Sequence, residues 1–255
     1  MNIFLIRHGE SQSNTGEIKP CHKMPDHKIR LTFNGAEQSV ALGKRLASLK
    51  ETSDQHYPCL SLSGNQKLGV QISDIMNSDL ALYHSPFIRA KQTLAHLLHS
   101  AGNFTGLSRI SDTSPVLDQD LGFIDQYSTE DARLREIDFG PQTSQMSLRE
   151  IREYGQFYYA YPNGESQAQV YDRVCSFYED TIKPDIDNNK DVMIISHGLA
   201  IKALIMRIMR FTVDEFATIR TPKNSSLITI STDLESAATV CFKTNLAIDG
   251  IEFRP

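Results

Sequence analysis

The chain has 255 residues, 40% of them hydrophobic, and a formal charge of -5. That is enough apolar material for one large core, so a single domain over 1–255 with insertions at 51–78 and 101–142 is expected. The acidic balance excludes the basic face that nucleic acid or an anionic membrane needs, but not a small anionic substrate in a local basic pocket.

Asn2–Ile6 reads as a buried strand running straight into Arg7, His8 and Gly9. Such an end delivers a guanidinium and an imidazole together to a sheet edge, with a glycine that lets the backbone turn tightly. The pair suits a phosphate: Arg7 can grip its oxygens in a fork and His8 can attack its phosphorus. The same tripeptide arises by chance, and a histidine after a strand also serves as a cap or core residue. Leu31-Thr32 leads into a helix over Asn34–Leu49, with Thr32 as cap and Ala36, Val40, Leu46 and Ala47 on one stripe. Residues 51–78 are polar and mixed, an irregular insertion. Leu80–His84 is the next strand. Ser85-Pro86 then starts a helix, serine as cap and proline at its first position, that carries Arg89 and runs to Ser100. A cation on a first turn opposes the macrodipole, so Arg89 is either a surface arginine or has a binding task.

Residues 101–142 are rich in Gly, Asp, Ser and Thr and weakly periodic, a stretch expected to cover the site rather than form the core. Within it Glu136 lies among apolar neighbours in Leu134-Arg-Glu-Ile-Asp-Phe-Gly140. There its pKa would rise and it could serve as a general acid; an ordinary surface pair with Arg135 is the other reading. Helices follow at Ser147–Tyr154 and Ser166–Ile182. Asp191–Ser196 is a strong buried strand that meets His197 and Gly198, with a helix over Gly198–Met209. Ser226–Ser231 and Ala238–Thr244 read as a closing strand pair.

Strands separated by helices imply an α/β fold: a three-layer α/β/α arrangement on a mostly parallel central sheet. The carboxyl ends of such strands form the ligand crevice, so His8 and His197 can face one bound group. The free amides where the Gly198 helix starts also favour an anion. The runs near Met193–Ile195 and Ala203–Met209 are too short or too charged to span a membrane, and the N-terminal run meets Arg7 too soon for a signal peptide. Cys21, Cys59, Cys175 and Cys241 show no paired spacing, so free thiols in a reducing cytoplasm are expected. Cys21, His22 and His27 fit no common zinc pattern, and no metal site is expected.

Together these pieces resemble the histidine phosphatase superfamily, in its phosphoglycerate-mutase-like branch with a small cap, over nearly the whole chain. Arg7-His8-Gly9-Glu10 with Asn14 is similar to the signature loop, and Leu31-Thr32 with Gly35 and Gln38 to the "LT..G..Q" segment. Ser85-Pro86 with Arg89-Ala90 and Gln92-Thr93 resembles "SP..RA.QT". Leu134-Arg135-Glu136 with Phe139-Gly140 resembles the segment bearing the acid, and Ser196-His197-Gly198 the second histidine. Pro25–Ile29 and the 154–159 and 171–174 blocks look like a subgroup described as phosphoglycerate-mutase-like proteins or broad-range acid phosphatases. Pro162-Asn-Gly-Glu-Ser166 stands where the family has "PGGES". Pro141-Gln-Thr143 stands where it has "WEG", and there is no "ERHYG"-type segment.

The resemblance implies a phosphohistidine on His8, with Arg7, Arg89 and His197 holding the phosphoryl oxygens and Glu136 moving the proton. Asn14 and Gly198 join the phosphate contacts, and Lys28, on the connection at the pocket mouth, meets a second anionic group. A small phosphate ester is the expected partner, with no cofactor. Alternatives are a phosphoglycerate mutase, a sugar bisphosphatase and a catalytically inactive phospho-binding protein. Substrate and oligomeric state stay open; a homodimer is compatible with the sequence.

Overall fold

Ile3, Phe4, Leu5 and Ile6 are fully buried, because strand β1 (Asn2–Arg7) is covered on both faces. Alternate side chains of a strand point to opposite faces, and here Ile3 and Leu5 enter one core while Phe4 and Ile6 enter another. The structure is a computed structural model that describes residues 2–18, 24–51, 80–101, 116, 118–140, 148–232, 239–241 and 243–254.

The other strands are β2 (Leu80–His84), β3 (Thr129–Glu130), β4 (Asp191–Ser196), β5 (Leu227–Ser231), β6 (Thr239–Cys241) and β7 (Leu246–Asp249). They form one sheet in the order β3-β2-β4-β1-β5-β7-β6. β3, β2, β4 and β1 are mutually parallel; β5 is antiparallel to β1, and β7 to β5, so β7 runs with the parallel set. The helices are α1 (Phe33–Glu51), α2 (Ile88–Ser100), α3 (Leu148–Tyr154), α4 (Gln167–Phe177), α5 (Lys183–Asp187), α6 (Gly198–Met209) and α7 (Val213–Thr218). Leu42 and Leu46 of α1 and Leu94, Leu97 and Leu98 of α2 close the core on the Phe4 face. Val170, Val174 and Phe177 of α4 and Ile201, Leu204 and Ile205 of α6 close it on the Ile3 face. This is the expected three-layer α/β/α fold.

Several local expectations change. α2 begins at Ile88, not at the Ser85-Pro86 pair, and its cap position, Phe87, has no side-chain cap bond. The Ser85 hydroxyl is instead engaged with His197. The helix expected over 166–182 starts well, with a reciprocal Ser166–Gln169 capping box. It ends as an α-helix at Phe177 and continues as a π turn over Tyr178–Ile182. Pro184 explains the wider turn, since it has no N–H to return to the carbonyl four residues back. β5 and β6 do not pair; β7 lies between them. Leu121, Ile124 and Leu134 are buried and residues 129–130 extend the sheet, so 121–134 contributes three side chains to the core and a strand to the sheet. The insertion expected at 51–78 lies outside the described residues, apart from the last residue of α1. No helix among the described residues is long and apolar enough to cross a membrane.

Candidate active site

The parallel register pairs Arg7 with Ser196. One residue further, His8 and His197 stand side by side, their ring centroids 5.0 Å apart. His8 N–H donates to Ser196 O at 3.0 Å, and Ser85 N–H donates to Ile195 O at 3.0 Å, so the ends of β1, β4 and β2 are tied together. The sheet thus brings residues 7, 8, 85 and 197 to one edge. Gly9 does not take a left-handed conformation; it is needed for a close approach, because a Cβ there would lie 2.4 Å from Gly35 O. At Gly198 an added Cβ would meet Thr221 Cγ2 at 2.8 Å and Arg7 Nε at 3.6 Å.

Hydrogen bonds assign the histidine tautomers. His8 Nδ1 is 2.6 Å from Gly9 O, and a carbonyl only accepts, so Nδ1 carries the proton and Nε2 keeps its lone pair. His197 Nε2 is 2.7 Å from Ser85 Oγ, which itself accepts from Phe87 N–H at 3.3 Å. The hydroxyl keeps its proton to give, and giving it to Nε2 puts the ring proton of neutral His197 on Nδ1. Both rings are neutral: burial above all, then the charges of Arg89 and Arg7, hold His8 well below the ordinary imidazole range. Burial, Arg89, His8 and Arg7 do the same to His197. His197 Nδ1, Arg7 Nε and Arg89 Nε are buried nitrogens with no hydrogen-bond partner. Buried polar groups are normally satisfied, so three such donors at one sheet edge mark an oxyanion site.

Arg7 is held by Nη1 donating to Pro222 O at 2.6 Å. Arg89, almost fully buried, is held by Asp26. The Phe87 ring stacks under the Arg89 guanidinium, 4.8 Å from its Cζ, and lies 5.0 Å from the His197 ring. Asn14 Oδ1 accepts from Ser11 N–H, the Ser11 hydroxyl and Asn224 Nδ2, which fixes the amide with its NH2 group left to donate elsewhere.

Glu136 reaches this edge because Ser196 Oγ donates to Leu134 O at 2.8 Å and Arg173 Nη2 to Glu136 O at 3.2 Å. Its carboxylate accepts from Ile137 N–H at 3.0 Å. Burial raises its pKa; that bond, Arg89 and Arg7 oppose the rise and Asp26 adds to it, with the net shift upward. Nearby carboxylates are committed elsewhere: Glu165 pairs with Arg135 and Arg173, and Asp138 is exposed and accepts from Gly140 N–H. The asparagine in Pro-Asn-Gly-Glu-Ser has a reason: Asn163 sits at φ 54°, a left-handed position that asparagine tolerates better than most residues. The 141–143 departure lies outside the described residues.

Lys28 is exposed on the turn over Asp26–Lys28, and it is Asp26 of that turn that enters the site. The His27 ring lies 6.4 Å from Phe87. Sequence reasoning missed Asp26, Phe87, Asn224 and Arg173, and took Ser85 for a cap. Among the described residues no cluster of three or more His, Cys, Asp and Glu side chains is placed to hold a metal ion.

Known proteins resemble this chain in sequence and in fold. The model of the histidine phosphatase superfamily (branch 1) matches residues 104–244. A phosphoglycerate mutase-like protein of Arabidopsis thaliana, AT74, is 29% identical over 88% of this chain; the match spans 63% of that protein's length. Its homologue AT74H is 30% identical over 84% of this chain and 68% of its own length. The broad-range acid phosphatase DET1 of Saccharomyces cerevisiae is 26% identical over 91% of this chain and 85% of its own. Among solved structures, a mycobacterial glucosyl-3-phosphoglycerate phosphatase shares the fold with a TM-score of 0.59 at 16% identity, covering 100% of this chain and 99% of that one.

Proposed function

The chain belongs to the histidine phosphatase superfamily, and on that premise we propose that it is a metal-independent phosphomonoester hydrolase working through a phosphohistidine on His8. The observation that carries the reading is the His8 tautomer: a neutral ring with Nδ1 tied to Gly9 O and its Nε2 lone pair free beside two guanidinium groups. In the first step Nε2 attacks phosphorus in line and the bond to the ester oxygen breaks. Glu136, protonated, gives its proton to the leaving oxygen. Arg7, Arg89 and His197 Nδ1–H stabilise the equatorial oxygens, with Asn14 and the Gly198 amide as further donors. In the second step the Glu136 carboxylate takes a proton from water as its oxygen bonds to phosphorus. The P–N bond then breaks, its electron pair returns to Nε2, and Glu136 is again the acid.

The proposed substrates are small phosphorylated metabolites, with Lys28 drawing anions inward, an effect that fades with salt. The proposed setting is the cytoplasm, where a free thiol such as Cys175 stays reduced. In the test, labelled substrate is acid-quenched and the adduct mapped. The expected adduct is acid-labile and on His8; EDTA leaves the rate unchanged, and His8→Ala loses nearly all hydrolysis while its circular dichroism stays native. More than a few per cent residual activity in His8→Ala, or a chelation loss restored by a divalent ion, would reject the mechanism. A mutase would instead show activity dependent on 2,3-bisphosphoglycerate.

A further inference from the structure

The 25–30 segment is basic by count, yet its carboxylate is what meets the site. Arg89 Nη1 donates to Asp26 O at 2.8 Å and to Asp26 Oδ1 at 2.9 Å, and Nη2 donates to Oδ2 at 3.2 Å. A guanidinium has five N–H bonds. Asp26 takes both on Nη1 and one on Nη2. The two that remain, on Nε and Nη2, lie parallel along one side edge, the spacing that grips an oxyanion in a fork. Nε is the buried nitrogen without a partner noted above. The Phe87 face fixes the plane of the group, and Asp26 fixes its rotation within that plane.

We propose that Asp26 is a positioning residue of the phosphate clamp: it engages the end of Arg89 so that the Nε–Nη2 edge is presented to the phosphoryl group. The inference deepens the hydrolase reading and rests on it. Asp26 also carries a negative charge toward Glu136. The charged groups acting on that carboxyl are Arg89 from α2, Arg7 from β1, Arg173 from α4 and Asp26 from the turn. Removing the Asp26 charge leaves Arg7, Arg89 and Arg173 less opposed, so the acid form of Glu136 is lost at lower pH.

The test compares wild type, Asp26→Asn and Asp26→Glu as full chains. Orthophosphate affinity is measured by calorimetry, which needs no turnover, and the kcat–pH profile with an alkyl phosphate. For Asp26→Asn the expected results are an affinity loss of about 10- to 100-fold, the scale of a lost charge-assisted contact, and an alkaline limb moved to lower pH. Asp26→Glu restores the limb in large part. If Asp26→Asn binds orthophosphate as wild type does, or its limb is unmoved while only the melting temperature falls, Asp26 is structural and the proposal fails. Should wild type bind orthophosphate without hydrolysing any ester, the hydrolase reading fails while the calorimetric comparison still decides the role of Asp26.

Discussion

Ser85→Ala separates the tautomer argument from general site integrity. Ser85 is fully buried, and its hydroxyl serves two partners, His197 Nε2 at 2.7 Å and Phe87 N–H at 3.3 Å. Alanine leaves both unsatisfied, each at a cost of about 1–3 kcal/mol. The Phe87 part falls on stability, and for a chain of this size each kcal/mol lowers Tm by roughly 2–4 °C. The His197 part falls on catalysis. Without the donor on Nε2 the ring proton is free to move there, which turns the Nδ1 lone pair toward the phosphoryl oxygens. A charge-stabilising donor becomes a repulsive acceptor, and kcat should fall by roughly 10²-fold, the lower end for a lost oxyanion donor. KM should change much less, because the contact matters most as charge gathers in the transition state. Vanadate inhibition should weaken in parallel with kcat. The assay is steady-state hydrolysis of p-nitrophenyl phosphate with vanadate titration, alongside thermal unfolding. A variant with lowered Tm but kcat and vanadate affinity within twofold of wild type would refute the tautomer assignment.

Glu136→Gln should harm alkyl phosphates about 10²–10⁴-fold more than p-nitrophenyl phosphate, since a good leaving group needs little proton help; equal losses would move the acid role elsewhere. The same variant has a stability signature. A carboxyl whose folded pKa is raised binds its proton more tightly when folded, so its contribution is present below the unfolded pKa and lost as pH rises through the folded one. Glu136→Gln should therefore gain Tm over wild type at pH 7 relative to pH 4, read by calorimetry; a difference independent of pH would contradict the upward shift. Leu97→Ala, fully buried between α2 and the Phe4 face, should cost about 2–5 kcal/mol in urea unfolding and leave KM unaltered.

What could be read from the chain alone follows physical lines. β2, β4 and α6 were bounded correctly because unbroken apolar runs end in His-Ser-Pro or Ser-His-Gly, where composition changes abruptly. Arg7, His8 and His197 were legible for the same reason, each lying a residue or two past an apolar run, whereas Arg89, four residues past Ser85, was picked out by the resemblance of its segment to "SP..RA.QT". β7 was missed because Leu246–Asp249 is too short to show a period, and its place between β5 and β6 is a long-range choice. Thr129–Glu130 is exposed and carries no apolar signal. Asp26 was hidden by charge counting: beside His27, Lys28 and Arg30 it reads as an offset to a basic loop, and only folding shows that its partner is Arg89, 63 residues away. Arg173 and Asn224 act on backbone carbonyls, which no side-chain motif reports.

The central place of β1 also bears on how this chain is made. β1 is made before either strand it pairs with: one neighbour, β4, begins 189 residues later, and the other, β5, later still. At about 5–20 residues per second of synthesis, Ile3–Ile6 waits roughly 10–40 s for a strand to pair with. During that interval the most apolar segment of the future site has both backbone edges open, the condition that favours wrong pairing between chains. The same order means that no nascent chain carries both histidines in place before β4 has docked. The complete set of groups at this sheet edge thus waits on the translation of β4 and of the His197 that follows it.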